Sequence, residues 1–346
     1  MGAHLSMTNA VLADQETELV SQLITRVSES GISEDHIPVV NLYVALKSKP
    51  LVLLAGPPES GKQALVQCVS QFLSGGGCEQ YQAITGHPWW ANHGDNLTLL
   101  TDLHSRFLTE KLFAILEEAT LPENRDRMFV ACLMHLSPAE LLTFFREVAF
   151  QLRNGQIMRL GEAHLSAPIP YPYNLFLIGT MDTANFRWWD ADFLAKTTVI
   201  QWSGSKTCTP SLDGIRSGGS EFLRFRICGR QAAYQKLHAV VGGQKNPARI
   251  IFRVVTLLRQ HGITLSVPVM DEIVIYLANA WTSNGRGLFD PSLTTNLAIA
   301  LDLVIAQILL ASTADLLITT AKLSKQLHAL FGREFPFSIA FLEGLE

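Results

Sequence analysis

Leu51-Val52-Leu53-Leu54-Ala55-Gly56-Pro57-Pro58-Glu59-Ser60-Gly61-Lys62-Gln63 decides the reading of this chain. An apolar run of strand length breaks at Gly56. A glycine-bracketed turn follows, and Ala64–Leu73 then carries apolar residues at helical spacing. Residues 56–62 match GxxxxGK in its required setting, after a buried strand and opening a helix. Such a loop can curl backbone N–H groups around a phosphate. The helix N-terminus adds partial positive charge, and the lysine neutralises the outer phosphates. Gly56, Pro57, Pro58, Glu59, Ser60, Gly61, Lys62 and Gln63 are therefore the candidate nucleotide-binding residues. Two of them depart from the chemistry. A Ser or Thr hydroxyl normally holds Mg²⁺ where Gln63 stands, and Glu59 brings negative charge to the loop.

Working outward, Met128–Leu133, Asn174–Gly179 and Thr197–Trp202 are further buried-strand candidates. Between and around them, Gln15–Val27, Asn96–Ala119 and Pro138–Leu152 read as helices. Strands alternating with helices predict an α/β fold with a parallel sheet covered on both faces. Ser203–Ser220 is rich in Gly, Ser, Thr and Pro and reads as a connection. Beyond it only helices are expected, at Pro247–His261, Met270–Trp281 and Leu293–Leu330. The predicted organisation is an N-terminal helical extension (1–37), an α/β domain (38–203), a flexible connection (204–220) and a helical lid (221–346).

Composition narrows the function. The chain of 346 residues is 48% hydrophobic and 17% charged, which excludes a disordered polymer and hints at surface covered by partners. A net charge of −4 argues against the chain as a whole being an electrostatic nucleic-acid binder. Cys68, Cys78, Cys132, Cys208 and Cys228 form no CxxC pair, so a zinc module or disulfide framework is not expected, and a cytoplasmic location fits. The apolar stretch Leu297–Leu310 is short of a membrane span, is interrupted by Asp302 and Gln307, and reads as a buried helix.

Several phrases in the right order give a resemblance. The run Leu46–Gly56 with its loop, and Tyr173-Asn174-Leu175-Phe176-Leu177-Ile178-Gly179-Thr180-Met181-Asp182-Thr183-Ala184, resemble the AAA+ NTPase domain of McrB-type restriction GTPases and their bacterial relatives. Phe193–Trp202 looks like the arginine-finger segment of that family, and Asp271–Leu277 echoes its lid. The resemblance implies a P-loop AAA+ sheet with a helical lid, binding of ATP or GTP, and assembly into oligomers.

The departures from that family are systematic. With Met134 and Leu136 setting the register, Cys132 and Leu133 stand where the Walker-B carboxylates belong, a slip of one residue being the alternative. Thiol is a soft ligand for Mg²⁺, and leucine cannot orient a water. Asp182 replaces the sensor-1 asparagine, Lys196 the finger arginine, and the sensor-2 arginine falls near Pro268. Only Lys62 survives of the core set. His135, Glu117, Glu118 and Arg187 are the nearest substitutes, each with an ordinary structural role as its alternative. The doublets Trp89–Trp90 and Trp188–Trp189 read as packing or interface residues.

An arginine finger alone is worth ~10³–10⁵ in rate, and metal and base add several kcal/mol. Combined loss predicts a pseudo-ATPase: a structural or regulatory subunit, homo-oligomeric or joined to active AAA+ subunits or an effector. Nucleotide sensing stays open through Lys62. The alternative is an active McrB-like motor working with a nuclease partner on DNA. DNA contact is expected only through a partner, and no catalytic residue or metal ligand is assigned.

Overall fold

The computed structural model describes residues 2–75, 80–85, 112, 114–134, 171–182, 197–202, 204, 218–244 and 247–345, with side chains from residue 15 onward. Five parallel strands form one sheet: β1 Leu51–Gly56, β2 Tyr81–Thr85, β3 Phe129–Met134, β4 Leu175–Asp182 and β5 Thr198–Gln201. Their order is β2-β3-β4-β1-β5. The predicted α/β parallel sheet is thus present, and β1 lies centrally between β4 and β5.

β1 is buried at every position, and β3 and β4 at all but their last residues, so both faces of the sheet are covered. That is why these strands read as continuous apolar runs rather than alternating ones. The helices before the connection are α1 Gly2–Glu29, α2 His36–Ser48 and α3 Lys62–Ser74. Asp35 caps α2 by accepting the Ile37 N–H at 2.9 Å. α3 packs on β1, β2, β3 and β4, α2 packs on β1 and β5, and α1 touches both α2 and α3. The expected extension is therefore an integral helix, and the expected 37/38 boundary falls inside α2.

After the connection come α4 Gly219–Phe225, α5 Arg230–Val241, α6 Arg249–Gln260, α7 Val267–Asn279 and α8 Leu293–Val304. The helical path continues through a π segment Ile305–Leu310 and a 3₁₀ turn Ala311–Thr313. α9 Ala314–Thr319, α10 Ala321–Phe331 and α11 Pro336–Glu343 complete it. The expected helices of the C-terminal half are present, and α6 ends at Gly262, whose φ of 78° suits glycine. The α11 N-terminus is capped from afar. Asp302 on α8 accepts the Phe337 and Ser338 N–H groups, both at 2.8 Å.

The helical stretch Leu293–Thr313 extends beyond the apolar run Leu297–Leu310 at both ends, and among the described residues it alone is apolar and long enough to cross a membrane. It is 72% buried, and its π segment packs on β5, α7 and α11, so it is placed as a core helix.

The helical half is joined to the sheet half by buried polar bonds. The Tyr276 hydroxyl donates to Asn41 Oδ1 at 2.6 Å, and Asn41 Nδ2 donates to Gln307 Oε1 at 3.1 Å. Lys47 pairs with Glu16 at 2.5 Å and donates to the Asn279 carbonyl at 3.2 Å. Asn279 in turn holds the Ile227 N–H and carbonyl. One hydrophobic core runs through both halves. Most of the 204–220 connection, the 138–152 helix and most of the 96–119 helix lie outside the described residues.

Candidate functional site: the phosphate loop and its internal counterion

Three strand ends converge on the loop. β1 and β4 run in register, so Gly56 lies opposite Asp182, while Ala55 lies opposite Gln201 of β5. Parallel strands place their carboxyl ends on one edge, where open α/β sheets keep their ligand crevice.

Local geometry explains the loop's residues. A Cβ at Gly56 would lie 2.2 Å from the Trp202 carbonyl oxygen, so only glycine fits there. Gly61 starts α3 with φ 76°, and Glu59 is the one non-glycine described with positive φ, at 59°. Trp202 holds the turn from the β5 side. Its backbone N–H donates to the Ala55 carbonyl and its indole N–H to the Ser60 carbonyl, both at 2.7 Å. Pro57, Pro58 and Glu59 are exposed, whereas Ser60, Gly61 and Lys62 are buried and Gln63 is half-buried. The Ser60 hydroxyl oxygen is buried without a hydrogen-bond partner.

Lys62 is the first residue of α3, as the sequence predicts, but its ammonium does not face an open cradle. It forms an ion pair with the Asp182 carboxylate and donates to the Pro57 carbonyl at 2.8 Å and the Gly56 carbonyl at 3.2 Å. An ammonium has three N–H donors, so all three are engaged. The fit to a triphosphate therefore fails in this conformation. The backbone turn has the right shape, but the positive charge meant for the outer phosphates is already neutralised from within.

The Walker-B positions lie elsewhere. Cys132 and Leu133 are fully buried within β3, opposite Ile178 and Gly179 of β4. Cys132 shares the Asp182 face of the sheet but lies four residues short of its level, ~13 Å at the usual rise. Burial pushes its thiol up to about 12, only partly offset by the Tyr81 hydroxyl, so it is protonated at neutral pH. Among the described residues no three His, Cys, Asp or Glu side chains gather as a metal site. Pro268 lies in the first turn of α7, and Asp271–Leu277 lies on the same helix. Glu117 is exposed, and Glu118 accepts from Asn124 at 2.8 Å in the corner before β3. Lys196, Arg187, His135 and both tryptophan doublets lie outside the described residues.

Structure thus brings together Lys62, Asp182, Gly56 and Trp202. The last of these has a reading in the sequence only as the end of a strand and of the segment that resembles an arginine-finger segment. Its only signal is position, a tryptophan closing the strand that flanks the loop. Compared with known proteins, the sequence matches no family model and no curated protein.

Proposed function

We propose that this chain is a degenerate AAA+ subunit, a pseudo-ATPase that serves as a structural or regulatory component of an oligomeric assembly in the cytoplasm. The observation that carries this reading is the engagement of Lys62 by Asp182 and two loop carbonyls. In a working site that lysine meets phosphate and the residue at the end of β4 is neutral. Here the Asp182 carboxylate stands beside the ammonium in the place of that anion. The fully buried Cys132 and Leu133 support the same reading, because neither can position metal or water. The sheet order supports the P-loop ancestry by setting the candidate sensor strand β4 directly beside β1.

A phosphate-release assay with ATP and GTP tests the proposal. Purified protein, alone or assembled, is expected to show no turnover that distinguishes it from the Lys62→Ala variant. Turnover near ~1 s⁻¹ that Lys62→Ala removes would overturn the reading in favour of the McrB-like motor acting with a nuclease partner.

A further inference from the structure

A phosphate does two things for a loop of this kind. It neutralises the lysine and the positive end of the following helix, and it gathers the loop's N–H groups around its oxygens. Here the first task falls to Asp182, whose carboxylate pairs with Lys62. The second task is left open, and the loop has a costly shape to hold. Glu59 and Gly61 both take positive φ, at 59° and 76°. Among the described residues no side chain caps α3. The turn's own backbone bond, from the Ser60 N–H to the Pro57 carbonyl, is long at 3.3 Å. Lys62 fastens the first two carbonyls, Gly56 and Pro57, while the Ser60 carbonyl at the other end is taken by Trp202.

Trp202 grips the loop at both ends. The Ala55 carbonyl accepts its backbone N–H and the Ser60 carbonyl its indole N–H. These carbonyls belong to the peptide units on either side of residues 56–60. Both units are trans, so each N–H points opposite to its carbonyl. The Gly56 and Gly61 N–H groups are therefore turned away from Trp202. The indole is wedged in its seat. Its side chain is buried, and Gly204 lies so close that a Cβ there would stand 2.6 Å from the ring. Trp281 gives the contrast. It too is buried, yet its indole N–H has no hydrogen-bond partner, so filling the core does not by itself require the bond that Trp202 makes.

We infer that Trp202 is the positioning residue of the phosphate loop, a splint that holds the loop by its carbonyls and keeps it folded with no phosphate on its N–H side. Asp182 supplies the charge of the missing anion and Trp202 supplies its geometric hold, from opposite neighbours of β1. The hold acts through one hydrogen bond to a buried carbonyl, which has no ready replacement once the indole N–H is gone. Pro57, Pro58 and Glu59 are exposed, so a splinted loop offers them to a partner in one shape with or without nucleotide. That consequence deepens the proposed function and rests on it. The splint itself is a property of the nucleotide-free loop.

Amide hydrogen exchange of the loop, read by mass spectrometry on the full chain without nucleotide, tests the splint. The wild-type loop is expected to exchange at least about tenfold more slowly than the unfolded chain. Trp202→Leu and Trp202→Phe both remove the indole N–H, and only the second keeps an aromatic ring in its place. Trp202→Phe is expected to regain most of the urea midpoint that Trp202→Leu loses. In both variants the loop is expected to exchange at least about tenfold faster than in the wild type. A phenylalanine that restores loop protection together with the midpoint overturns the inference, because packing would then be the whole role. A wild-type loop that exchanges like an unfolded chain overturns it as well. Should neither variant fold, Gly204→Ala replaces them, since its Cβ pushes the indole from its seat. The loop is then expected to loosen in the same way, and an unchanged loop overturns the inference. The two proposals fail separately. Turnover in the phosphate-release assay would remove the pseudo-ATPase reading without altering these exchange rates, and an unprotected wild-type loop would remove the splint without restoring hydrolysis.

Discussion

Asp182→Asn is expected to bind ATP or GTP about 10- to 100-fold more tightly than the wild type, a gain of about 1.4 kcal/mol per tenfold. The substitution keeps the side-chain shape and the hydrogen-bond acceptor beside Lys62 but removes the charge that now holds the ammonium. It also removes like-charge repulsion of an incoming phosphate. At ~4 Å and an effective dielectric near 20, that repulsion is worth about 4 kcal/mol. Partial exposure of the Asp182 side chain, 37%, brings the expected effect well below this figure. Binding that is gained should need Lys62 and be little changed by exchanging Mg²⁺ for EDTA, because Gln63 and Cys132 offer the metal no good ligand. Titration calorimetry of wild type, Asp182→Asn and Asp182→Asn with Lys62→Ala measures both points. Tight, metal-dependent binding by the wild type would refute the internal-counterion account. Equal affinities of wild type and Asp182→Asn would refute it as well.

The loop pair shows what sequence carries and what it does not. β1, β3 and β4 are legible because strands buried on both faces must be apolar throughout. The loop is legible because it is a contiguous chemical pattern. β2, Tyr81–Thr85, escapes a sequence reading: it is a short edge strand of five residues, in which Tyr81 and Gln82 are half-buried, Ala83 is exposed and Ile84 is fully buried, so it forms no continuous apolar run. The charge of Asp182 can be weighed against a γ-phosphate from sequence alone. Its pairing with Lys62, 120 positions away, depends on β4 lying beside β1 in the register Gly56 to Asp182, and no local pattern encodes that. The same holds for Trp202, which reaches Ser60 only because β5 flanks β1 on the other side. Asn174 reads as the start of a strand phrase, but its amide organises the corner before β3 by touching three carbonyls from a different part of the chain. Gln307 reads as an interruption of an apolar helix. It is the partner of Asn41 across the two halves.

Breaking the Glu16–Lys47 pair is expected to destabilise the fold more than either substitution at Lys62 or Asp182. Both side chains are essentially inaccessible, at 1% and 0%, and stand 2.5 Å apart. Tyr43 donates to Glu16 at 3.3 Å, and burial, then the Glu16 charge, raises its phenol well above its ordinary value. Glu16→Gln or Lys47→Met alone leaves one buried charge unpaired, which costs about 3–5 kcal/mol. Replacing both removes both desolvation penalties, so the double variant Glu16→Leu with Lys47→Met is expected to recover most of that loss. Urea unfolding of the singles and the double measures the coupling directly. Additive losses would show that the pair contributes no mutual stabilisation. The same experiment bears on function. Lys47 lies on α2 against the sheet and Glu16 on α1, and the second hydrogen-bond acceptor of Lys47, the Asn279 carbonyl, closes α7 of the helical half. A lid that opens and closes over nucleotide needs an interface that is easily parted. Here the helical half is fastened by this cluster and by the Asn41–Gln307 and Asn41–Tyr276 bonds. The wild type should therefore unfold in one cooperative transition, with near-ultraviolet and far-ultraviolet signals coincident. Two separated transitions, the first confined to the helical half, would mean that half is free to move and would weaken the case for a static subunit.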